Sequence, residues 1–340
     1  MSDWSESPGA GTLYIKGEFD RMSGSDTDYY KVGIVRGDKD VRDRDKALKT
    51  GNPRKVTTIL DLSSPFVQKL ETRLHNEFAA ARVASTEWFH KSLCPVETMA
   101  ERAAALQSEI VSLLEPLSYH EEELEPGEGP AIDPDTTLAD LAEEWALLEA
   151  DNALIGKTKR ALQAALDDLA SSAPELREIY FKASERSASS NLSATEVKKR
   201  HPDLYKDYVR VETSSPKQKY LIKASDYDSV ARSKEWGIPE LEEIGAKELA
   251  PAELHRAFLA CWSAGAIVDW RQWFIEAQLS HSARGTSGVA GVWEWVSGSR
   301  NVFDKERFRS DHPEIAEECT THTPGKTTYS LAEWVPAGAI

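Results

Sequence analysis

Tyr14, Lys31, Arg44, Glu71 and His75 fall within the first 90 residues at positions that the local apolar pattern turns inward. Tyr14 and Lys31 lie on two short stretches of alternating character, and Arg44 follows Val41 by three. Val67, Glu71, Leu74 and Phe78 are spaced by four, three and four residues, which sets Glu71 in the middle of an apolar helical stripe, with His75 one turn further on. Charged groups are kept off buried faces because losing water is costly, so several on inward positions mark a site rather than a core. A phenol, two cations, a carboxylate and an imidazole are groups that hold charged ligands and move protons.

The elements that must carry these groups are legible. Residues 12–17 and 29–35 form a strand pair joined by a polar loop through Ser23-Gly24-Ser25-Asp26. Residues 40–50 form a short helix stopped by Gly51-Asn52-Pro53, with Val41 and Leu48 seven apart and Arg44 on their face. Residues 56–62 are β-rich and apolar. Ser63-Ser64-Pro65 then offers a cap and a first-turn proline for a helix running to about Arg82, and Glu87 is a hinge to Trp88-Phe89, which closes the unit.

Charge does not exclude nucleic acid as a partner. The net charge is −16, but residues 1–90 hold 14 basic and 14 acidic side chains whereas residues 91–150 hold 2 and 15, so the acidity belongs mainly to one segment. No apolar run approaches the roughly 20 residues that cross a bilayer. Residues 1–11 read as a loose tail without the apolar region of a signal peptide, which points to a cytoplasmic protein. Cys94, Cys261 and Cys319 are scattered and odd in number, so they read as thiols, not as a disulfide framework or zinc site.

Residues 92–172 are Ala-, Leu- and Glu-rich, with Met99, Ala103, Leu106, Ile110 and Leu113 at helical spacing, and read as an antiparallel helical hairpin around an acidic loop at 121–137. Its stripe could pair internally or with a second copy. Residues 173–340 are mixed and repetitive: Asn191-Leu192 leads to Val197 and His201-Pro202, and Asn301-Val302 leads to Phe308 and His312-Pro313, with the two histidines 111 residues apart. Two helices and a two-stranded wing would fit each copy, spanning about 191–223 and 301–331. His201 and His312 read as helix starts, and Lys198, Lys199, Arg200, Lys217, Lys219 and Lys223 as cations that could touch phosphate or simply be solvated. The fold class is α+β: a small antiparallel sheet flanked by helices at 12–91, the hairpin at 92–172, and a mixed C-terminal region.

The run Thr12-Leu13-Tyr14, Lys31-Val32-Gly33, Arg44, Lys46-Ala47-Leu48-Lys49-Thr50-Gly51-Asn52-Pro53, Glu71, Leu74-His75, Phe78, Arg82 and Glu87-Trp88-Phe89 resembles the GIY-YIG nuclease superfamily. It is most similar to the phage ORF-172 type of DNA-binding domain, in which the second tyrosine is commonly lysine. The resemblance covers about a quarter of the chain and implies hydrolysis of DNA phosphodiesters with one magnesium or manganese ion held by Glu71. It further implies that Arg44 stabilises phosphate charge, that Tyr14 acts on the attacking water, and that His75 assists the metal or leaving group. Those roles suit a reaction that must neutralise developing charge and deprotonate water. Lys31 departs from the superfamily's name motif and fits either a phosphate contact or tuning of Tyr14. Lys31, Arg36, Arg44 and Lys49 are the expected DNA contacts.

The resulting expectation is a metal-dependent DNA endonuclease, in restriction, phage defence or a mobile element, dimerising through the hairpin if it cuts both strands. A catalytically quiet DNA-binding protein on the same fold is the alternative, and a helical scaffold protein the second alternative.

Overall fold

The computed structural model describes residues 9–37, 41, 42, 44, 54–114, 117, 127–223, 236–241, 244 and 249–336. Lys49 and the acidic run 121–125 lie outside them. The architecture is α+β, with an N-terminal antiparallel sheet and helices, long helices, and a C-terminal α+β region.

Strands β1 (Gly11–Asp20), β2 (Ser25–Arg36), β3 (Lys55–Ser64) and β4 (Trp88–His90) form an antiparallel sheet in the order β3-β1-β2-β4. The central strand β1 is buried on both faces from Leu13 to Glu18. Helix α1 (Val67–Glu77) lays Val67, Leu70 and Leu74 on one face of the sheet, against Leu13, Ile15, Tyr30, Val32 and Phe89. The proline cap is displaced from its expected place: Ser63 and Ser64 still pair with β1, so Pro65 turns the chain and the helix begins after Phe66 with no side-chain cap. It ends at Glu77, short of Arg82, and a single 3₁₀ turn at Ala79–Ala81 follows.

Helices α2 (Val96–Leu114) and α3 (Thr136–Ser172) form where the stripes place them, but among the described residues they do not pack side by side as a hairpin. The α2 stripe of Met99, Ala103, Leu106 and Ile110 is fully buried in the N-terminal core, together with Trp270, Trp273, Phe274 and Ala277. That stripe is therefore spent within the chain and is not available to a second copy. Asp135 caps α3, accepting from the Leu138 amide at 2.8 Å. After a short helix α4 (Glu175–Tyr180) and the first copy of the C-terminal repeat, the partner of α3 arrives about a hundred residues downstream, as α7 (Pro251–Ser282). The pair is antiparallel: Trp145 donates to Glu276, Asn152 to Asp269, and Lys159 sits over Trp262.

Between α4 and α7 the chain runs through β5 (Phe181–Arg186), β6 (Ser189–Leu192), α5 (Ala194–Arg200), α6 (Pro202–Asp207), β7 (Val209–Thr213) and β8 (Lys217–Tyr220). After α7 and the short β9 (Gly288–Val289) come β10 (Trp293–Val296), β11 (Ser299–Phe303), α8 (Lys305–Asp311), α9 (Pro313–Glu318), β12 (Thr320–Thr323) and β13 (Lys326–Leu331), in the same sequence of element types. The wings do not close within a copy: β7 pairs with β11, β6 with β12, β5 with β13 and β8 with β10. Leu192 faces Thr320 and Val209 faces Phe303, and a shift of 111 residues exchanges the two pairs, as a pseudo-twofold relation requires. The helices of both copies share a small core of Leu192, Val197, Tyr208, Phe303, Phe308 and Cys319. His201 and His312 stand at the helix junctions without capping through their side chains, and the ring of His312 meets the Tyr208 hydroxyl at 3.2 Å. All three cysteines are buried thiols, and among the described residues no helix is long and apolar enough to cross a membrane.

Candidate nucleic-acid site

Strand alternation divides the charged groups between two faces of the N-terminal sheet. Leu13 and Ile15 point to α1, so Tyr14, Lys16 and Glu18 share the opposite face, where all three are buried. The register sets Tyr14 opposite Gly33 and Lys16 opposite Lys31. The Tyr14 ring lies against Gly33, where an added Cβ would stand 2.7 Å from the phenolic oxygen. Lys16 donates to the Val41 carbonyl at 3.1 Å and holds its ammonium 4.8 Å from the centre of the Tyr14 ring, while Glu18 pairs with Arg54 at 3.0 Å. Val41 thus lies over this face. Arg44 itself is exposed whereas Val41 is half-buried, so Arg44 points to solvent and not inward as its spacing suggested, and Leu48, the other member of that stripe, lies outside the described residues.

The second half of the site gathers around Glu71. Burial, reinforced by the neighbouring carboxylate of Glu87, pushes Glu71 up to about 7, while Lys31, Arg36 and Arg82 act in the opposite sense. Arg44 is not among the charges that act most on Glu71. Lys31 forms an ion pair with Glu87, whose backbone carbonyl also accepts from the Val32 amide at 3.0 Å. Arg82, held below its ordinary value by burial, donates from Nε to the Thr86 carbonyl at 2.7 Å. Lys31 therefore links the halves, standing beside Lys16 in the register and against Glu87 by ion pairing.

His75 is held differently. It is buried, its Nε2 lies 3.2 Å from the Val32 carbonyl oxygen, and its ring packs on Phe89. Burial and the charge of Arg82 push it down to about 4, so at neutral pH it is an uncharged imidazole that donates to a strand carbonyl.

Of the expected residues, then, the structure brings Lys31 and Arg36 within electrostatic reach of Glu71, while the register sets Lys31 on the same sheet face as Tyr14 and Lys16, and Arg44 is exposed to solvent. Lys16, Gly33, Glu87 and Arg82 complete the set. Lys16 was readable from its place two residues after Tyr14, the same-face period of a strand; Glu87 required knowledge of how β4 folds back beside Lys31. Among the described residues no cluster of three or more Asp, Glu, His or Cys side chains could hold a metal ion by protein ligands alone.

Residues 11–104 match the family model of the T5orf172 domain, a family linked to GIY-YIG and homing-endonuclease-like domains. The match supports a nuclease-like or DNA-binding role for the N-terminal unit, with DNA as partner. No curated protein and no solved structure matches the chain.

Proposed function

We propose that the N-terminal unit is a GIY-YIG-type endonuclease domain that binds duplex DNA and hydrolyses its phosphodiesters with a divalent cation at Glu71. The observation that carries this reading is the state of Glu71: a half-buried carboxylate raised to about 7 by desolvation and by Glu87. Two mutually repelling carboxylates form a donor set that a divalent cation relieves, and magnesium is commonly held by one or two carboxylates with water and substrate phosphate completing its shell. Such an ion, when bound, would supply Lewis acidity toward phosphate oxygen.

The chain's own residues supply the rest. Arg36, exposed at the end of β2, and Arg82 beside Glu71 give cationic charge where a scissile phosphate gains negative charge. Arg44 is exposed and can reach a backbone phosphate. Tyr14, wedged against Gly33 with the Lys16 ammonium beside its ring, has its hydroxyl orientation fixed before substrate arrives. His75 positions β2 through the Val32 carbonyl rather than exchanging protons.

Incubation of the full-length chain with supercoiled plasmid and with single-stranded DNA, in magnesium, manganese or chelator, tests the proposal. Metal-dependent nicking lost in Glu71→Ala supports it; absence of cleavage of every substrate, modified phage DNA included, removes it. The Lys31–Glu87 ion pair favours a second reading. A lysine in place of the second tyrosine brings no phenol to the reaction, and if the phosphate displaces Glu87 from it, it serves docking without catalysis, in which case salt-sensitive DNA binding persists with no cleavage.

A further inference from the structure

Residues 181–192 and 320–331 run as one continuous two-stranded antiparallel ribbon, from Phe181 opposite Leu331, through Arg186 opposite Lys326, to Ser189 opposite Thr323 and Leu192 opposite Thr320. Its ends are anchored: Phe181 and Leu331 in the core built on α3 and α7, Leu192 in the core of the four short helices. Between those anchors every residue from Lys182 to Asn191 is exposed, and so is every residue from Thr321 to Ser330 except Thr328. At its anchored base Lys182 lies 5.4 Å from the Trp334 ring and Arg177 stands over Tyr329, but a two-stranded ribbon so exposed along its length is marginal by itself.

We propose that this ribbon is a second DNA-docking element, separate from the N-terminal site, that lies in the major groove of duplex DNA. Charge and chemistry select that partner. Lys182, Arg186 and Lys326 oppose a single Glu185, giving a net +2 on a chain of net −16, and none of the three cations forms an ion pair among the described residues. Both edges are furnished with hydroxyl and amide groups, among them Ser184, Ser190, Asn191, Thr321, Thr323 and Thr327, which donate and accept hydrogen bonds to phosphates and base edges alike. Size also agrees. Twelve residues at roughly 3.3 Å each span about 40 Å, slightly more than one turn of the duplex, and a groove about 12 Å wide admits a two-stranded ribbon. The pseudo-twofold mate of this ribbon, β7–β8 with β10–β11, is unlike it: β9 adds a third strand beside β10, and Trp293 is buried in the core. The bare ribbon is the one left for a partner.

Binding rather than cleavage tests this, so its failure leaves the proposed nuclease site untouched. The full-length chain and the triple variant Lys182→Ala/Arg186→Ala/Lys326→Ala would be titrated onto a fluorescein-labelled mixed-sequence 20-base-pair duplex by anisotropy between 50 and 200 mM salt. The three positions are exposed, and matched thermal melting confirms folding. The expected results are an affinity at least tenfold weaker at 50 mM salt and a salt slope lower by about 2 to 3. Lys182→Arg/Lys326→Arg should bind as wild type, and wild type should protect guanine N7 from dimethyl sulfate in a pattern lost in the triple variant. Unchanged affinity and slope in the triple variant, or N7 reactivity that saturating wild type leaves unaltered, overturns the proposal.

Discussion

The phenolic oxygen of Tyr14 stands 2.7 Å from where a Cβ on Gly33 would be, across a directly paired position of β1 and β2. Gly33 is therefore the floor on which Tyr14 is seated. Gly33→Ala must push the ring away from a buried position, at a cost of about 1–3 kcal/mol of stability by overpacking. We expect DNA cleavage to fall at least tenfold in Gly33→Ala while far-UV circular dichroism is retained. Tyr14→Phe, which keeps the ring, should lose a comparable factor in cleavage with far less effect on the melting temperature. Full cleavage by both variants would remove Tyr14 from the mechanism.

The state of Glu71 sets a pH dependence. Its carboxyl titrates near 7 in the folded chain against an ordinary value of 4.5. The group is raised, so its protonated form is the one the fold favours. The stability associated with it is complete below about 4.5 and is lost as pH rises toward 7. Urea denaturation should show wild type weakening over that interval relative to Glu71→Gln, which cannot titrate. Parallel curves for the two proteins would contradict the assignment. Cleavage should run the other way, rising with pH up to neutrality, because a cation requires the ionised carboxylate.

Lys31 and Glu87 act on Glu71 with opposite sign. Glu87→Gln removes a like charge and releases Lys31 from its ion pair, so the acid limb of the cleavage profile should move to lower pH. Lys31→Met removes a cation and should move that limb to higher pH. Shifts in the same direction would show that the two residues act by folding rather than by charge.

The α2 stripe is core. Leu106 is fully buried among residues of α1 and α7, so Leu106→Ala should cost about 2–5 kcal/mol in denaturant titration. Sedimentation of the folded fraction should give the same mass as wild type. A change of mass would return the stripe to an intermolecular role.

The N-terminal sheet was legible because its signals are local: alternation at Thr12–Gly17 and Tyr29–Val35, and an unbroken helical stripe from Val67 to Phe78. The partners of the long helices were not. The stripe on α2 states that a face is apolar but not which face will cover it, and proximity in sequence favoured α3 when Trp270 and Trp273 lay far downstream. The repeat was visible in His201-Pro202 and His312-Pro313, yet the exchange of strands between copies depends on a register that no short window contains. In the site, Glu71 declared itself by sitting in an apolar stripe. Glu87 did not, because its importance comes from a backbone return that sets it beside Lys31. Arg44 shows the reverse error, since a face assigned from Val41 and a seven-residue period was too short a sample to fix its direction.

Single-turnover cleavage of an end-labelled duplex by wild type and Glu71→Gln, with the affinity of each for the same duplex measured in parallel, bears most directly on the central claim. The account predicts metal-dependent cleavage by wild type, a loss of at least a hundredfold in Glu71→Gln, and DNA affinities within about threefold of each other. Cleavage by Glu71→Gln at the wild-type rate, or none by wild type under any metal condition, would contradict it.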